Sequence, residues 1–285
     1  MLTLTTERRA LLGRIAAICK PTLLYWMETE VHVYAFSISA NILLSFFPFL
    51  LVMIGICRSF HWTGAESAIF VALRDYFPDQ LGEYVSRNLR AAMWKIGPLQ
   101  FFSFLLLFFT ANGIFEPLEV ALNRAWGITN NRSFFRNQMI SFGLIFACGA
   151  LMLTSTILTA LNTQMLIQIT GNPKVDGLWS LLFYKLAAIP MSILMLFLIY
   201  WLLPNRKLPA RHVLPAAVIV GMVLEALKYI NVLTWPYVSA KLQREYGPFS
   251  YPVFIILSGF VASMVILAGA HWTARRSVLN PTPLG

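Results

Sequence analysis

Charge is what this sequence has least of. Charged residues make up 12% of its 285 residues, about half the usual share in a soluble domain. Hydrophobic residues reach 58% and the mean hydropathy is +0.68. A soluble fold of this size has too little polar surface to cover so many apolar side chains, whereas lipid can solvate them. Cysteine is sparse as well: Cys19, Cys57 and Cys148 lie far apart, with no CxxC and no Cys/His cluster. That excludes a cysteine zinc site and a disulfide framework. The four histidines, His32, His61, His212 and His271, are scattered without partner spacing, and HExxH, GxSxG and P-loop patterns are missing. No enzyme chemistry and no cofactor are therefore expected. Polar linkers, low-complexity tracts and internal repeats are also missing, which favours one membrane bundle over several soluble domains. Arg14 and Lys20 interrupt the apolar stretch after Arg8 and Arg9, so no cleaved signal peptide is expected.

What the chain does have is long apolar runs. A helix crosses a bilayer with about 20 predominantly apolar residues. Six stretches reach that length: 34–57, 99–122, 138–161, 181–203, 213–235 and 249–270. They are continuous and about twice as long as the strands of a membrane barrel. The expected fold class is all-α: a polytopic membrane protein with six transmembrane helices plus amphipathic interfacial helices.

The net charge of +10 comes from 22 Lys+Arg against 12 Asp+Glu. These basic residues are spread among loops rather than concentrated in a binding arm, so nucleic acid is not an expected partner and anionic headgroups are. Arg124, Arg132 and Arg136 follow the second run, and Arg206, Lys207 and Arg211 follow the fourth. The loop after the third run has only Lys174, and that after the fifth has Lys241 and Arg244. The positive-inside rule then puts both termini in the cytoplasm. Residues 58–97 are nearly balanced at +1, with five basic and four acidic residues. Ile69, Leu73 and Tyr76, then Leu81, Val85 and Leu89, recur at helical spacing on either side of Pro78. This predicts two helices in an amphipathic extracytoplasmic cap at about 62–95. The remaining organisation is an amphipathic cytoplasmic segment over 1–33, the membrane domain over 34–272 and a cytoplasmic tail over 273–285.

Function in such a bundle is sought among groups that lipid does not explain. Glu225 and Lys228 lie in the fifth run, about 18 Å in from residue 213. Their i,i+3 spacing lets them pair, either as a structural ion pair or as part of a pathway. Lys185 sits near the outer end of the fourth run, placed to snorkel or to bind an anion. Asn41, Asn112 and Glu116 occupy the inner half, Glu116 just before Pro117, and Glu119 is spaced to pair with Arg124. Arg124 and Arg206 stand on the cytoplasmic side, where they would gather headgroups. Pro48, Pro190, Pro215 and Pro252 predict kinks in four spans.

Several ordered pieces resemble the YihY/BrkB family of bacterial inner-membrane proteins, once labelled ribonuclease BN. These are Ala35-Phe36-Ser37 with Leu44-Ser45-Phe46-Phe47-Pro48, Ala121-Leu122-Asn123-Arg124-Ala125-Trp126-Gly127 with Arg132-Ser133-Phe134-Phe135-Arg136, and Leu202-Leu203-Pro204-Asn205-Arg206-Lys207-Leu208-Pro209. Leu224-Glu225-Ala226-Leu227-Lys228-Tyr229 and Tyr246-Gly247-Pro248 complete the set. One departure is Gly269-Ala270-His271, where the family often has Gly-Ala-Glu. The resemblance implies six helices with both termini inside, in the bacterial cytoplasmic (inner) membrane, and a link to envelope lipid handling. Together with the polar ladder it favours a transporter or flippase-like carrier of a lipid or other anionic amphiphile, such as a lipopolysaccharide-type lipid. The alternative is a structural or assembly protein without transport activity. The old ribonuclease label finds neither a metal constellation nor a soluble domain to hold RNA. Membrane lipids are the expected partners, with a homo-oligomer left open.

Overall fold

The computed structural model describes residues 20–76, 79–93, 98–129, 132–170 and 189–279. Regular structure among them is entirely helical. Residues 20–26 form a helical lead-in to α1 (Thr29–Ser59), followed by α2 (Thr63–Tyr76), α3 (Asp79–Met93), α4 (Pro98–Ala125) and α5 (Phe134–Thr170). After α6 (Ile189–Leu202) come α7 (Ala210–Tyr246), a 3-10 turn at Gly247–Phe249, and α8 (Ser250–Leu279).

Four stretches are long and apolar enough to cross a bilayer: Thr29–Ser59, Phe101–Ala125, Phe134–Thr154 and Ala210–Arg275. The last contains α7 and α8 on either side of the 3-10 turn. α6 is a shorter apolar helix, the described part of the run expected over 181–203. The outward surfaces match this composition. Phe101, Phe102, Leu105, Leu106 and Phe109 of α4 are exposed, as are Leu214, Ile219, Met222 and Ile230 of α7. Water would penalise such a surface, whereas a bilayer solvates it. The protein is a polytopic helical membrane protein.

Local chemistry sets the helix ends. At the end of α1, Trp62 N–H donates to the Cys57 carbonyl at 2.8 Å and His61 N–H to Arg58 at 3.0 Å, with His61 at φ 57°. At the end of α4, Ile128 N–H donates to Asn123 at 2.8 Å and Gly127 N–H to Arg124 at 3.1 Å. Gly127 has φ 62°, a left-handed cap that a residue without Cβ adopts without strain. Both caps satisfy carbonyls that a helix end otherwise leaves open.

Two cores divide the bundle along its length. The larger packs the first half of α1 (Val31, Ala35) against α4 (Ala111, Leu118, Leu122), α6 (Leu196, Ile199), α7 (Val213, Val220) and α8 (Leu267, Ala270). The smaller joins the second half of α1 (Leu50, Ile54, Cys57) to α2 (Ile69, Leu73), α3 (Val85, Leu89) and the far end of α7 (Trp235, Leu242). α2 ends at Tyr76 and α3 begins at Asp79, with Pro78 outside the described residues, and the apolar stripes of both helices pack on the bundle. α7 reaches both cores because its 37 residues extend about 55 Å, well beyond a bilayer's apolar thickness.

Close helix approaches occur at small residues. A Cβ on Gly113 of α4 would collide with the Asn41 carboxamide of α1, so the two helices meet there backbone to side chain. Gly269 of α8 leaves room for Val220 and for Tyr200, whose hydroxyl donates to the Ile266 carbonyl at 2.7 Å. Small-residue contacts of this type are how membrane helices gain packing where lipid gives no hydrophobic drive.

Candidate functional site

The most costly groups inside the apolar region are on α7. Lys228 Nζ donates to Glu225 Oε1 at 2.9 Å, with side chains only 17% and 10% exposed. The pairing expected from i,i+3 spacing is thus formed. One turn before Glu225, Gly221 faces Ile193 and Leu196 of α6, which places the pair on the α6-facing side of α7. Lys228 Nζ also lies 5.6 Å from the centre of the Tyr229 ring. Lys185, expected in the same outer half, lies outside the described residues.

The other predicted polar residues occupy separate places. Asn41 donates to the Ser37 carbonyl at 2.9 Å and fills the space above Gly113, while Ser45 donates to the Asn41 carbonyl at 2.6 Å. Asn112 Nδ2 donates to Glu116 Oε2 at 2.9 Å, and Glu116 is exposed on the outside of α4. Arg124 pairs with Glu30 at the start of α1, and Arg206 is exposed in the turn between α6 and α7. The depth ladder read from sequence therefore resolves into a helix–helix contact, an intrahelical pair and two surface arginines, separate from the α7 ion pair.

Glu119 does not meet Arg124. It is only 5% exposed and accepts from Asn123 Nδ2 at 3.4 Å. The side chains turn opposite ways because adjacent helical positions differ by about 100°, and positions 119 and 124 do not share a face. Asn123 Oδ1 in turn accepts from the Asn205 backbone N–H at 2.9 Å, and Glu119 acts electrostatically on Arg132. Arg132 donates to the carbonyls of Leu202, Leu203 and Pro204, closing the open end of α6. Burial pushes the Arg132 guanidinium below its ordinary range, Glu119 raises it again, and Arg136 lowers it. This buried network ties the turn after α4 to the turn after α6. Its members stand in the quoted sequence turns, but only the demand of a helix end for donors would have singled out Arg132. Arg132→Ala is expected to lower stability by about 2–3 kcal/mol, the scale of charged hydrogen bonds. Thermal unfolding in detergent measures it, with Arg132→Lys recovering only part because one ammonium cannot span three carbonyls.

The sequence profile for virulence factor BrkB matches residues 23–281. The chain belongs to the virulence factor BrkB family. Among curated relatives of this BrkB-family protein, a "UPF0761 membrane protein" of Chlorobium chlorochromatii is 24% identical over 86% of this chain and 56% of its own length. One from Pseudomonas aeruginosa is 26% identical over 76% of this chain and 52% of its own. One from Acinetobacter baylyi is 27% identical over 65% and 44%. The chain spans about half the length of the curated relatives it matches. No solved structure matches it. Among the described residues, no three His, Cys, Asp or Glu side chains are grouped to hold a metal ion.

Proposed function

We propose that this BrkB-family protein is a non-enzymatic carrier of an anionic amphiphile across the bacterial inner membrane, with both termini in the cytoplasm. The observation that supports it is the Glu225–Lys228 pair, enclosed at 10% and 17% exposure on the side of α7 that faces α6. A carboxylate and an ammonium are expensive at that depth, and a bundle needing only adhesion can obtain it from small residues and amides. Lys228 supplies the positive charge for a phosphate or carboxylate headgroup. Glu225 pairs with that ammonium while no ligand is present and yields it to the ligand, whose tails stay in lipid.

The test is reconstitution in liposomes with labelled anionic phospholipids and lipopolysaccharide precursors. Movement across the bilayer is expected with the native chain and a loss of about tenfold or more in Lys228→Met, the scale of one lost charged contact. Equal movement by the native chain and Lys228→Met would remove the proposed site. The second reading, a purely structural pair, is favoured by the 2.9 Å contact within the pair. It predicts that the exchanged arrangement, Glu225→Lys with Lys228→Glu, restores both stability and full activity in cells.

A further inference from the structure

A pocket of about 260 Å³ lies where the start of α1, the end of α4 and the last turns of α8 meet. Counted along α7, Glu225 lies about 22 Å from the helix start at this end of the bundle, so the pocket and the ion pair are separate sites. Its walls combine both signs of charge with aromatic faces. Glu28 and Glu30 come from the start of α1, Arg124 from the last turn of α4, and Tyr25, Tyr34 and His271 close the sides.

Several of these groups are left available. Glu28 stands at the N-cap position of α1 yet makes no side-chain capping bond. Glu30 and Arg124 pair with side chains 55% and 60% exposed, so solvent weakens the pair and leaves both partners open to exchange. Tyr25 and His271 stack with ring centres 4.4 Å apart and planes 6° apart, forming a flat aromatic wall. His271 Nδ1 is buried against that wall with no hydrogen-bond partner. Burial, then Glu28 and Tyr34, push the Tyr25 phenol up to about 12 against the pull of Arg124, so it stays neutral.

Two carboxylates and one guanidinium line the pocket, and Arg275 acts electrostatically on His271 at its edge. Carboxylates beside tyrosine faces select an ammonium, while the guanidinium selects a phosphate. A ligand carrying both groups a few ångströms apart replaces the single Glu30–Arg124 pair with two. We infer that this pocket binds a phosphoethanolamine group, its phosphate on Arg124 and its primary ammonium among Glu28, Glu30 and the Tyr25 ring. The site does not depend on the carrier reading, and its ligand is zwitterionic rather than anionic.

The experiment uses the full chain in phosphatidylglycerol nanodiscs, titrated with phosphatidylethanolamine or with soluble glycerophosphoethanolamine, and bound ligand counted by native mass spectrometry. Phosphatidylethanolamine is expected to be retained about tenfold more tightly than added phosphatidylglycerol, with that preference lost in Glu28→Gln and in Arg124→Gln. Competition by the soluble ester alone assigns the site to a free metabolite, and retention of both assigns it to the lipid headgroup. Glu225→Ala leaves this preference in place even if it abolishes transport, which separates the two sites. Equal retention of the two lipids, with no binding of the soluble ester, overturns the proposal. So does a preference that survives both pocket variants in protein whose unfolding temperature is unchanged.

Discussion

Glu225→Leu is expected to destabilise the protein by about 3 kcal/mol or more, and the double change Glu225→Leu with Lys228→Met to recover most of that loss. The asymmetry follows from where the cost sits. The pair brings two charges out of water and regains part of the penalty through contacts that include the 2.9 Å ion pair. Removing one partner leaves the other charge unmatched at low exposure, whereas removing both leaves a volume that hydrocarbon can fill. The single change Lys228→Met strands the carboxylate in the same way and should cost a similar amount. Equilibrium unfolding in mixed micelles measures all three. If the double variant is no more stable than either single one, the pair contributes net stability, and its persistence needs no functional explanation. Recovered stability with transport still lost would mean that the charge is kept for its ligand.

Gly113→Leu should be the most damaging single change in the first core. Even a Cβ at this position meets the Asn41 carboxamide, with Asn41 Nδ2 at 2.8 Å, and a leucine adds three more carbons between α1 and α4. Overpacking costs about 1–3 kcal/mol where neighbours can shift. Here the obstructing carboxamide is held by its own hydrogen bond, Asn41 Nδ2 to the Ser37 carbonyl, which moving it would break. The expected result is poor expression and a lowered unfolding temperature. Adding Asn41→Gly in the same chain should relieve it by vacating the space. Cysteine crosslinking between the two helices would report the restored spacing.

The apolar runs made the helices legible because a bilayer imposes one length and one surface chemistry on any segment that crosses it. The cap was legible for a similar reason: Ile69, Leu73, Val85 and Leu89 repeat at helical spacing around Pro78, and they are the residues that pack on the bundle. The Glu225–Lys228 contact was readable because i,i+3 geometry is local. What composition could not supply was direction around each helix. Glu116 and Glu119 are three positions apart, yet one is exposed and the other buried, and no charge pattern distinguishes them. Arg124 finds Glu30, from a segment more than ninety residues earlier, and Arg132 finds carbonyls at Leu202 to Pro204. Such long-range partners depend on which helices lie side by side, which hydropathy does not encode.

The length of α7 has a mechanical consequence. It is one rod fastened into both cores, with Pro215 near one end and Pro236 near the other, each removing a backbone hydrogen bond. The stiff middle section between these two weak points carries Glu225 and Lys228. A helix held in both cores keeps that section at a fixed depth, so the ion pair can move along the bundle axis only by unpacking one core or bending at a proline.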